Sequence, residues 1–377
     1  MLPETVDLYL STTRGPKGFT ESNDEDINEF VKCYKGTLDK NSIKVVVIDS
    51  SLAKTEMLEC DDENYLIWDR SFFNNVCSYI FCMLNIQAVH SEFAATPYHI
   101  QKMKCQTLMD ALFYSLLKHQ IQNTTISTSA QQKTIEDYCS KYAASLEGII
   151  HTRIEYEKLS KTFYYAKYYI FSHELAHITY KNDKDYLNLV FDIAQKSLNA
   201  SSEKPKNFSL IEKHIEKLNN CGSYDDCSFY QEILADTRAV QTTWSRLIVD
   251  CLGEIKTVFT DVEMSFVFPK ILEAQDGIDL VRSFLVRSSN LRYLIDTLLS
   301  NEADDSVFID FIIRDYFSNP ISIVLLCGFD SGTGRGKEYL VKFQEYRCNR
   351  NIAIIDDLFA DEFNRHISTL KRELTIS

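Results

Sequence analysis

Long apolar runs, surplus basic charge, the pattern of a secretory signal in the opening residues and internal repeats are all missing from this sequence, and each absence argues against a class of protein. No segment approaches the ~18 consecutive apolar residues of a membrane span; the most apolar stretches, Val76 to Ile86 and Ile321 to Phe329, are much shorter. The chain is therefore expected to be soluble, with no membrane partner. Acidic residues outnumber basic ones by 54 to 40, giving a net charge of −14, which repels a phosphate backbone and argues against nucleic acid. The opening residues MLPETVDLYL lack the basic start and apolar stretch of a secretory signal. The 11 cysteines, an odd number scattered from Cys33 to Cys348, read as reduced thiols of a cytoplasmic protein rather than a disulfide framework. Cys221 and Cys227 do not have the spacing of a C-x-x-C metal pair and read as thiols too. No period of roughly 20 to 50 residues repeats, so a solenoid is excluded.

What is present describes an ordinary globular chain, 45 % hydrophobic and 25 % charged. Its 377 residues exceed the ~250 to 300 that one core usually serves, which suggests one elaborated domain or several packed parts. We divide it into an N-terminal α/β part (1–125), a helical central part (126–268) and a C-terminal helical part (269–377). The fold class expected is α+β, mostly helical, with a small sheet near the N-terminal side. Ile43 to Ile48 (IKVVVI) and Tyr65 to Trp68 (YLIW) are the strand signals. Helical periodicity covers Asp24 to Tyr34, Phe72 to Asn85, Ile100 to Gln122, Gln131 to His151 and Tyr156 to Lys181. Further helices are expected at Lys184 to Leu198, Leu210 to Asn219, Asp226 to Leu252, Ile278 to Ser300, Ser306 to Phe317, Ile321 to Phe329 and Glu338 to Leu374. The glycine-rich GFDSGTGRG does not fit a phosphate-binding loop, because Ser331 replaces the first glycine and Glu338 follows Lys337. It reads as a mobile loop or lid.

The chemistry is concentrated in FSHELAHITY, where His173, Glu174 and His177 form H-E-x-x-H. Positions i and i+4 share a helix face, so both imidazoles can reach one metal ion. Glu174 then lies beside them, where a carboxylate can serve as general base. Tyr169, Ile170 and Ala166 extend the same face backwards as an apolar and aromatic stripe. Two ordinary histidines of an amphipathic helix would give the same five letters, so a third ligand has to decide. It is offered by QEILADTRAV, in which Glu232, Ala235, Asp236 and Ala239 form E-x-x-A-D-x-x-A. Glu232 and Asp236 share a face, and the alanines are small enough to let two helices approach closely. Six aromatic residues crowd into Phe163 to Phe171; core packing explains them better than a binding box.

Together the two motifs resemble the gluzincin metallopeptidases. The resemblance implies a zincin-like core with His173, His177 and Glu232 as zinc ligands. It also implies Asp236 as the partner orienting a ligand histidine, and Glu174 as the base that deprotonates an attacking water. The implied cofactor is zinc, and the implied partner is a protein or peptide substrate. A small zincin sheet beside the motif helix would bind extended substrate along its edge, and one of the two strands above is expected to serve. The helical surround is most like the soluble bacterial phage-exclusion peptidases, a likeness confined to the two motifs. An oxyanion donor is not fixed: Tyr180, Tyr230 and Arg238 lie near the motifs, with His214 preferred because it sits between them on a short amphipathic helix. The reading from a different class is a metal-binding regulatory or sensor protein that keeps the fold and cuts nothing. The presence of Glu174 weighs against it.

Overall fold

The structure is a computed structural model. It describes residues 2–14, 18–60, 63–93, 95–123, 133–138, 154–180, 185, 228–254, 256, 259–298, 338, 341–343, 345–346 and 352–376. Apart from Asp185, the expected helices Lys184 to Leu198, Leu210 to Asn219, Ser306 to Phe317 and Ile321 to Phe329 lie outside these residues, as do the glycine-rich loop, Cys221 and Cys227.

A mixed four-stranded sheet is built from β1 (Phe19–Glu21), β2 (Ile43–Ser50), β3 (Glu56–Cys60) and β4 (Glu63–Asp69), in the order β1-β2-β4-β3. β2 and β4 run parallel, from Ile43 opposite Asn64 to Ile48 opposite Asp69. β3 forms an antiparallel hairpin with β4, and β1 pairs antiparallel with β2. Both expected strands are therefore interior and neither is an edge. This corrects the expectation about substrate binding. The physical reason is visible along β4, where Tyr65 to Asp69 are buried without a break. Tyr65 and Ile67 meet Val6 and Leu10 of α1 (Glu4–Thr13) on one face, while Leu66 and Trp68 enter the main core on the other. A strand covered on both faces reads as a continuous apolar run, whereas the half-charged EMLEC of β3 does not.

The helices on the other face begin with α2 (Glu25–Cys33), capped by Asp24, whose side chain accepts from the backbone N–H groups of Asp26 and Ile27. A short α3 (Lys35–Lys40) leads into β2. Then come α4 (Arg70–Phe93), α5 (Tyr98–Asn123), α6 (Tyr156–Thr179), α7 (Ser228–Leu252), α8 (Asp261–Leu298) and α9 (Ile352–Ile376). One hydrophobic cluster draws residues from all three of the parts we delimited, from Ile27 to Leu370. Among the described residues α4 is the one helix long and apolar enough to cross a bilayer, although 61 % of its most apolar window is buried inside the protein. Its buried face is packed against α5.

α8 starts 17 residues before the expected Ile278 and runs through Pro269. Proline removes one helical N–H, but Val267, Phe268, Ile271 and Ala274 around it are buried in the core, and that packing outweighs the loss. A capping box starts the helix: Glu263 accepts from the Thr260 N–H at 2.8 Å, and its own N–H donates to the Thr260 hydroxyl at 3.3 Å. α8 then crosses α6 so closely that a Cβ on Gly277 would lie 2.8 Å from the Thr162 carbonyl oxygen.

Candidate metal centre

α6 presents His173 and His177 one turn apart, and α7 packs along it with Ala235 and Ala239 buried between them. The small side chains let the Glu232 carboxylate reach both rings. His173 Nε2 lies 3.3 Å from His177 Nε2 and 3.2 Å from one Glu232 oxygen, and the other oxygen is 3.5 Å from His177 Nε2. Ligands bonded at ~2.0 to 2.1 Å to a tetrahedral ion sit about 3.3 to 3.4 Å apart. The three side chains thus have the spacing and the N, N, O donor set of a zinc site.

Asp236, one turn beyond Glu232, accepts from His173 Nδ1 at 2.9 Å. That bond fixes which ring nitrogen carries a proton and leaves Nε2 facing His177 and Glu232. Burial alone would lower the His173 pKa, but its hydrogen bonds to Asp236 and Glu232, and their charges, lift it to about 10. Glu174 is pushed up to about 7, first by burial and then by the charge of Glu232, against the pull of His173.

These residues lie in a cleft of about 790 Å³. It is lined by β3 and the connection before it, from Leu52 to Met57, by α8 residues such as Val281, Leu285 and Arg292, and by Phe72 and His119. The wall that faces the motif helix is held from behind. Asp69 accepts from the N–H groups of Ser50 and Lys54 at 3.3 and 3.2 Å and from that of Ser71 at 3.0 Å. Arg14, fully buried, donates to the Lys54 carbonyl at 2.6 Å and pairs with Glu56. Between these anchors buried Ala53 takes a left-handed φ of 52°, a conformation that costs a non-glycine residue energy and persists where surrounding bonds enforce it.

No protein-family model, curated protein or solved structure matches the chain.

His173, Glu174, His177, Glu232 and Asp236 are brought together; His214 and the side chain of Tyr230 lie outside the described residues. Arg238 stacks over the Tyr180 ring at 4.5 Å, and neither is among the residues lining the cleft. Residues 1–42, in which the sequence shows no chemistry, contribute Arg14 to the cleft wall. A second group with ligand-like atoms close together, Asp110, Glu362 and His366, joins α5 to α9. There the Arg365 guanidinium pairs with both Asp110 and Glu362, and Lys102 lies 3.4 Å from Glu362. Two cations already neutralise that cluster, so it docks α9 rather than holding a metal.

Proposed function

We propose that the protein is a zinc-dependent endopeptidase of the gluzincin type, acting on a protein or peptide substrate. The observation that carries this reading is the convergence of three donors from two helices at zinc-like spacing, with an adjacent carboxylate in an open cleft. His173, His177 and Glu232 would hold the ion, and Asp236 keeps His173 in the required tautomer. Zinc, when bound there, supplies Lewis acidity to a carbonyl and makes water a competent nucleophile near neutral pH. Glu174 takes the proton of the attacking water on its carboxylate and delivers it to the leaving nitrogen. β3, paired on one side to β4, is the edge strand beside the motif helix among the described residues. An extended substrate adds to it through main-chain hydrogen bonds, which favours peptide chains over compact small molecules. The odd number and scatter of the 11 cysteines suit a reducing compartment, and we assign the activity to the cytosol.

The test uses Glu174→Gln, which is nearly isosteric but cannot take the proton. It should bind about one zinc per chain like wild type, while N-terminal mass spectrometry of cytosol expressing each form shows neo-termini only with wild type. Positioned acid–base groups contribute ~10²- to 10⁴-fold, so cleavage should fall at least that far. Zinc bound in both forms with identical termini would favour a metal-binding regulator. No zinc in wild type would end the reading.

A further inference from the structure

Behind Asp236 lies a layer that the motifs do not contain. Tyr169, one turn before His173 on α6, donates its hydroxyl to Asp236 Oδ1 at 2.9 Å. His173 Nδ1 reaches that same oxygen at 2.9 Å. Arg282 of α8 donates its Nε–H to the Tyr169 oxygen at 3.3 Å, with its guanidinium 5.4 Å from the ring centroid. All three are almost fully buried, at 2 % exposure for Tyr169, 4 % for Asp236 and 5 % for Arg282.

The direction of each bond is set by chemistry. An arginine N–H can only donate, so the Tyr169 oxygen accepts from Arg282 and its own proton must point elsewhere. It points at Asp236. Two donors then approach one carboxylate oxygen from two sides, and this fixes the plane of the carboxylate as well as its position. A carboxylate held only by the histidine would be free to turn with the ring it is meant to orient. We propose that Tyr169 and Arg282 are positioning residues that lock Asp236, and through it the His173 ring, in the orientation required for metal binding. This rests on the zinc reading above. It also assigns a role to α8, which contributes no ligand but carries the charge that orders the relay. A tyrosine packed there only for its ring would need no hydroxyl.

Tyr169→Phe removes that hydroxyl and leaves the ring, so the fold should be retained. Outer partners of metal-bound histidines typically contribute 10- to 100-fold in affinity, and for a group one bond further out we expect about a tenfold rise in the zinc dissociation constant. It would be measured on the full chain by competition with a chromophoric chelator. The visible spectrum of the cobalt-substituted protein should change too, since it reports ligand orientation. If Tyr169 acts through Asp236, the effects are not additive: in an Asp236→Asn background, Tyr169→Phe should change the constant less than twofold. Wild type that binds zinc beside a Tyr169→Phe variant with the same constant and cobalt spectrum would overturn the relay while leaving the metal site intact. An equal loss in both backgrounds would overturn it as well, because Tyr169 would then act by packing. Wild type that binds neither metal would remove the zinc reading and the relay together.

Discussion

Gly277→Ala sets two well-characterised effects against each other, and the packing of α8 on α6 decides which wins. In a helix interior alanine is favoured over glycine by ~1 kcal/mol. Here the new Cβ would lie 2.8 Å from the Thr162 carbonyl oxygen and 3.0 Å from the Ala166 nitrogen. Both are backbone atoms of a buried helix, so no side chain can turn away; α6 itself must shift by several tenths of an ångström. Overpacking of this kind costs ~1 to 3 kcal/mol, and rigid backbone on one side puts it in the upper half, leaving a net loss of ~1 to 2 kcal/mol. With an unfolding entropy of ~2.1 cal/mol/K per residue, a chain of 377 residues loses about 1.3 °C of Tm per kcal/mol, so we expect a fall of about 1 to 3 °C by scanning calorimetry. Gly36→Ala is the control. It lies in α3 with nothing within 4 Å of a Cβ, so its Tm should stay level or rise by about 1 °C. The displacement of α6 also moves His173 against Glu232, and zinc affinity should weaken in Gly277→Ala alone. A rise of Tm in both variants would refute the close-packed crossing.

Arg14→Met takes the buried donor from the Lys54 carbonyl and from Glu56, which keeps Lys54 Nζ at 2.6 Å and the Tyr9 hydroxyl at 3.2 Å; an acceptor left short of its donor costs ~1 to 3 kcal/mol, and peptide kinetics should show KM rising several-fold with a smaller change in kcat, because the cleft wall loosens while the metal ligands stay in place. Glu232→Ala should abolish stoichiometric zinc by elemental analysis, whereas Glu254→Ala, outside the site, should keep it. The metal-free protein should lose stability between pH 7 and 9: His173 binds its proton more tightly folded than unfolded, so its contribution is complete below its ordinary pKa of 6.5 and is lost as pH rises toward its folded value of about 10. In that window Glu174, raised to about 7, has largely finished losing its own contribution, and His119, lowered to about 3 by burial and by Arg292, is neutral in both states. Tm against pH should therefore fall more steeply in metal-free wild type than in His173→Gln, where the buried thiols of Cys77, Cys82 and Cys105, raised above their ordinary value by burial, still shed some stability toward pH 9, and zinc should stabilise wild type more at the higher pH because binding releases the proton. A metal-free Tm that rises from pH 7 to 9 would contradict the assignment.

The parts of the site that could be read from the sequence are those set by local periodicity. His173 and His177 are four apart, as are Glu232 and Asp236, and a helix turns any such pair to one side whatever surrounds it. The interior strands were legible for the same reason, since burial on both faces leaves an unbroken apolar run at Tyr65 to Trp68. β3 was not, because an edge strand needs only one neighbour, and its EMLEC carries two charges. The start of α8 is marked in the sequence by Thr260 and Glu263 three apart, a capping box, but Pro269 six residues later is a residue that ordinarily ends a helix, and the expected helix began only at Ile278. Only the burial of Val267 and Ile271, a tertiary fact, shows that the helix survives it.

The supporting layers divide along the same line. Tyr169 stands on the ligand face of α6, so its ring was assigned to the interior, yet nothing local says that its hydroxyl meets an aspartate 67 positions away. Arg282 and Arg14 are further from any motif, at 113 positions from Tyr169 and 40 from Lys54. A ligand must be a histidine or a carboxylate, so its identity announces it. A group that orients a ligand needs only one N–H or O–H at the right place, and many residues can supply that from any part of the fold. The fully buried Arg14 and nearly buried Arg282 are nonetheless conspicuous once the packing is known, because an arginine cannot shed its charge and must be met by acceptors. In this chain both lead from the core toward the cleft, one through Lys54 and Glu56 and the other through Tyr169 and Asp236. Weakening either should therefore alter function through different constants, KM for the wall and metal affinity for the relay.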